Sequence, residues 1–92
     1  MDLLNSVVRR NETVAWRSID KEALLVNPRD GLIYPLNPVA KRVWELIDGS
    51  RTCSELIEIV DREFEGDKSN IQQDILSFIG DLIDKGMAIL QD

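Results

Sequence analysis

Leu32-Ile33-Tyr34-Pro35-Leu36-Asn37-Pro38-Val39-Ala40 changes its period halfway along, and that change decides the fold. Leu32 to Leu36 is a short apolar, β-forming run, which reads as a strand. Asn37 is a strong helix N-cap, and Pro38 at the first helical position has its φ already set for a helix. Ala40, Val43, Trp44 and Ile47 then recur at i, i+3, i+4 and i+7, the spacing of one buried helical face. One strand therefore ends, and one amphipathic helix begins, at Asn37.

Upstream the chain reads as strands. Residues 13–19 and 22–27 are two β-rich runs joined by Asp20-Lys21. Pro28-Arg29-Asp30-Gly31 is a turn in which Pro presets φ and Gly31 accepts a positive φ. Short connections make the three strands an antiparallel meander. Pro35 cannot donate to a ladder, so the strand over 32–36 belongs at an edge. Residues 1–12 read as a loosely held arm.

Downstream the chain reads as helices. Gly49 is expected to stop the first of them. Thr52-Cys53-Ser54-Glu55 is a capping box, and Leu56, Ile57, Val60 and Phe64 line the helix that follows, up to Gly66. Ser69-Asn70-Ile71-Gln72 is a second capping box, opening a helix over 70–85 that stops at Gly86. Met87 to Leu90 reads as a short closing strand. The fold class is α+β: an N-terminal three-stranded antiparallel sheet followed by three helices, the inventory of a winged helix-turn-helix, in one domain over 1–92.

Composition excludes several chemistries. The 92 residues hold no histidine and one cysteine. Ser-His-Asp and Cys-His catalysis are out, and so is a zinc site built from Cys and His. No Gly-rich phosphate loop is present. An enzyme is not expected, nor a cofactor or metal. Cys53 at a helix start reads as a structural thiol. No segment has the length of a membrane span, and Met-Asp-Leu-Leu-Asn lacks the form of a signal peptide, so a cytoplasmic protein is expected. Residues 1–42 hold seven Lys/Arg and five Asp/Glu, a balance of +2; residues 43–92 hold four and twelve, a balance of −8. An acidic helical half opposes phosphate binding.

The third helix is apolar over too wide an arc. Ile71, Ile75, Leu76, Phe78, Ile79, Leu82 and Ile83 span roughly 160° on a wheel, against the ~100° needed to pack on one surface. A second flank is left to bury. One flank carries Ile71 and Phe78 beside Asp74, Asp81 and Lys85; the other carries Leu76 and Ile83. The first is favoured, because Asp74 and Lys85 can read charge on a bound partner.

The ordered series of Leu36-Asn37, Asp48-Gly49, the capped helix from Cys53 and the helix ending Lys85-Gly86-Met87 resembles the PqqD family across about residues 13–90. The resemblance implies a non-catalytic module that binds the leader segment of a ribosomally made precursor peptide. The leader adds as a strand to 32–36, packs against helix 70–85, and is presented to a modifying enzyme such as a radical-SAM enzyme, a cyclase or a protease. The expected peptide-binding residues are Gly31, Leu32, Ile33, Tyr34, Pro35, Ile71, Asp74, Ile75, Phe78 and Lys85. Two other readings remain open. A winged-helix DNA-binding protein would use the third helix, whose solvent side carries Asp74, Asp81 and Asp84. A scaffold subunit would pair its own edge strand with that of a second copy, giving a homodimer. Neither nucleic acid nor membrane is an expected partner.

Overall fold

The computed structural model describes residues 2–66 and 68–91. Among these residues the fold is α+β, with three α-helices and two three-stranded antiparallel sheets. The expected meander forms the first sheet: β2 (Ala15–Ile19), β3 (Glu22–Val26) and β4 (Ile33–Leu36), in the order β2-β3-β4. β1 (Val7–Arg10) lies elsewhere, between β5 (Asp48–Thr52) and β6 (Ala88–Gln91) in the second sheet.

That second sheet corrects two expectations. Within the stretch read as a loose arm, Val7–Arg10 is a central strand, paired Val7 to Gln91 and Arg10 to Ala88 on one side. On the other side Val7 faces Thr52 and Arg9 faces Asp48. Gly49 does not stop the first helix, because that helix, α1 (Pro38–Leu46), has already ended. Gly49 sits in β5 with φ +85°, and a Cβ there would come within 3.1 Å of Gln91 Oε1. The residue is glycine because the sheet closes over it.

The predicted caps of the first two helices form. Asn37 Oδ1 accepts the Ala40 N–H at 2.8 Å, with Pro38 in the first turn of α1. Thr52 and Glu55 close a reciprocal capping box on α2 (Cys53–Glu63). Thr52→Ala removes one half of that box and leaves a helix-end N–H unpaired. It is expected to cost about 1 kcal/mol, measured by urea unfolding. α3 (Lys68–Asp84) begins ahead of the start that Ser69 to Gln72 predicts; the Ser69 side chain lies outside the described residues. Its other end is the expected one. Gly86 has φ +74°, its N–H bonds Ile83 O at 3.0 Å, and Met87 N–H bonds Leu82 O at 2.8 Å, a Schellman closure.

One core joins these parts. Ala23 and Leu25 of β3 and Leu36 of β4 meet Val43, Trp44 and Leu46 of α1, with Leu56 and Val60 of α2 and Ile75, Ile79 and Leu82 of α3. Cys53 is buried in the same cluster, and desolvation pushes its thiol above the ordinary pKa. Among the described residues no helix is long and apolar enough to cross a membrane.

Candidate functional site

β4 has β3 on one side and, among the described residues, no strand on the other. Its register is Val26 to Ile33, Leu25 to Tyr34, Leu24 to Pro35 and Ala23 to Leu36. Asn27 N–H bonds Leu32 O at 3.1 Å, so the hydrogen-bonded positions toward β3 are Leu32, Tyr34 and Leu36. Ile33 and Pro35 alternate with them and turn their main-chain groups outward. Pro35 fits this position because its missing N–H would face away from β3. The open edge therefore offers the N–H and C=O of Ile33 and the C=O of Pro35.

Pairing cannot extend backward through the turn. Gly31 N–H is held by Asn27 O at 2.7 Å, and Leu32 N–H by Asp30 Oδ1 at 2.9 Å. Gly31 and Leu32 thus precede the strand, and the ladder starts at Ile33. Ile33 is 61% exposed and Leu32 56%. Such an apolar edge is one that proteins usually shield.

The β3–β4 turn is anchored to the end of α3. Asn27, only 2% exposed, donates from Nδ2 to the Lys85 carbonyl at 3.1 Å and accepts the Arg29 N–H at 3.1 Å. Arg29 reaches the Asp84 carbonyl at 3.5 Å. These bonds satisfy carbonyls that the helix end leaves without partners. They also fix β4 beside α3.

Between the two lies a groove. At one end, Tyr34, Pro35, Leu36, Phe78, Asp81, Leu82, Lys85 and Met87 line a cavity of about 200 Å³. Phe78 is shared with a second cavity of about 290 Å³, whose walls are Ile71, Asp74 and Ile75 of α3, the N-cap Asn37, and Val39, Ala40 and Val43 of α1. Chain direction orders the groove: as β4 runs into α1, α3 runs back from Lys85 to Ile71. Ile71 to Lys85 covers fourteen residue steps, ~21 Å along the helix axis.

Seven of the ten expected residues, Tyr34, Pro35, Ile71, Asp74, Ile75, Phe78 and Lys85, line these two cavities. Ile33 stands on the open edge beside them. Leu76 and Ile83, on the other flank of α3, line neither. The α1 wall was not among the expected residues. Its only signal was Val39, an apolar residue off the buried stripe of that helix.

Two polar contacts shape the Lys85 end. Tyr34 Oη donates to Asp30 Oδ2 at 2.6 Å. That bond holds the exposed Asp30 carboxyl below its ordinary pKa and the Tyr34 phenol above its own. Lys85 Nζ lies 5.8 Å from the centre of the Tyr34 ring, a cation–π contact.

The geometry defines a small α+β domain with an open, apolar sheet edge running beside a helix groove. Residues 22–88 match the family described as "Coenzyme PQQ synthesis protein D (PqqD)", and the chain belongs to that family. None of the curated proteins matches it. Among solved structures it is similar to one described as "TbiB1 in Complex with the TbiA(beta) Leader Peptide", with a TM-score of 0.74 and 23% identity over 90% of this chain and 94% of that one. At that identity the likeness is one of fold.

Proposed function

We propose that the chain captures the leader segment of a ribosomally synthesised precursor peptide as a fourth strand beside β4, and presents it to a modifying enzyme without catalysing a reaction itself. The observation that carries this reading is the outward N–H and C=O of Ile33 on an exposed apolar edge next to a groove. Such an edge gives affinity through main-chain bonds, and adjoining pockets give specificity. An antiparallel guest makes two bonds at Ile33 and one at Pro35. Family membership, and a fold shared with a protein solved with a leader peptide, support the same reading. A radical-SAM enzyme, a cyclase or a protease is the kind of enzyme the guest would be passed to.

The acidic solvent side of α3 disfavours the DNA-binding alternative, since phosphate contacts dominate that affinity. The test is fluorescence polarisation with the leader peptides of precursors encoded beside this gene, together with amide exchange at Ile33. Saturable binding that protects the Ile33 amide is the expected result. Binding to none of these leaders, or binding that leaves Ile33 unprotected, counts against strand addition.

A further inference from the structure

The groove carries acidic charge that forms no ion pair among the described residues. Asp74 lines the cavity at the Ile71 end and Asp81 the cavity at the Lys85 end, with Phe78 common to both. Both carboxylates are exposed, and among the described residues neither is in an ion pair. The β4 and α1 residues lining the groove bring no charge of their own. Asp30, at the Lys85 end, is engaged by Tyr34 Oη. Among the described residues the one cation lining the groove is Lys85, whose ammonium lies over the Tyr34 ring.

Resting on the strand-addition reading, we propose that this groove selects a guest with a basic side chain on each side of an apolar one, in the order basic, any, apolar, any, basic. Spacing supports the order. Asp74 and Asp81 are seven residues apart, ~10.5 Å along α3, with Phe78 between them. Alternate side chains of an extended guest share a face at ~6.7 Å, so its first and fifth residues lie ~13 Å apart with the third between them. The third side chain meets Phe78 and the apolar walls. Flexible Lys or Arg stems take up the small mismatch at either end.

Selection of a displayed library of random peptides on the native chain at low ionic strength tests this. The expected pool is enriched in Lys or Arg four positions apart around an apolar residue. Selection on the double variant Asp74→Lys, Asp81→Lys, its fold checked by circular dichroism, should exchange those positions to Asp or Glu. For a peptide from the native pool, Asp74→Asn with Asp81→Asn should weaken binding roughly threefold to tenfold at low salt, and less at high salt. A pool without basic enrichment, or one that keeps it on the lysine variant, overturns the charge selection and leaves strand addition standing. A pool that binds an Ile33→Pro chain as well as the native one overturns both.

Discussion

Replacing Ile33 with proline is expected to lower peptide affinity at least about tenfold while the chain stays folded. Ile33 supplies the single outward N–H of β4, so the change removes one of three main-chain bonds to a guest. A neutral bond of that kind contributes about 0.5–1.5 kcal/mol. The ring adds a clash, because its Cδ occupies the space into which the N–H pointed. The host loses little. Ile33 faces Val26 in a pair that exchanges no bonds with β3, and the residue is already 61% exposed. Stability should move by no more than about 1 kcal/mol. Ile33→Thr keeps the N–H and removes apolar surface, so it should retain most of the affinity. Polarisation with a bound leader peptide, beside urea unfolding of each variant, reads both effects. Equal losses in the proline and threonine variants would mean that the side chain, not the edge, carries the affinity.

The largest expected effect on stability is at Trp44. It is 1% exposed at the centre of the core, edge-on to Trp16 with ring centres 6.4 Å apart. The Arg10 guanidinium stands about 6 Å from both rings. Trp44→Ala empties that volume and should cost about 3–5 kcal/mol. A domain of this size holds about 5–15 kcal/mol, so the variant approaches unfolding. Trp44→Phe should cost far less, about 1.5 kcal/mol or under. Among the described residues the indole N–H of Trp44 is buried with no hydrogen-bond partner, and phenylalanine removes that donor while keeping most of the ring volume. Urea unfolding at 25 °C separates the two variants. Equal losses would mean that the ring phenylalanine keeps adds nothing to the packing of the core.

Local chemistry made the meander, the caps of α1 and α2 and the end of α3 legible in the sequence. Asn37, Thr52 with Glu55, and Gly86 each act on backbone groups within a few residues. The second sheet was not legible, because nothing near Val7–Arg10 specifies it. Its partners are at Asp48–Thr52 and Ala88–Gln91. Asp48-Gly49-Ser50-Arg51-Thr52 has few β-formers; ladder bonds hold it, along with Asp48 Oδ1 accepting from Ser50 N at 3.0 Å and Ser50 Oγ at 2.6 Å. The candidate site divides the same way. Pro35 marked the edge, and the wide apolar arc marked α3. The facing wall of Val39, Ala40 and Val43 follows from how α1 lies against α3, a long-range contact that no local pattern encodes. Arg10, read as part of a solvated arm, is drawn to the two indoles for the same reason.

The pairing of β1 with β6 has a mechanical consequence. Val7 stands opposite Gln91, so the start of β1 and the finish of β6 lie at one end of an antiparallel pair. Tension applied between the two ends of the chain loads that pair rung by rung, as a zip opens, and does not shear all its bonds together. Almost the whole chain lies between these strands, so the pair closes a long loop and cannot form early in folding. The sheet that yields first under load is thus the one that closes late. The meander with its open edge lies outside that sheet, so a pull on both ends spends its first extension away from the groove.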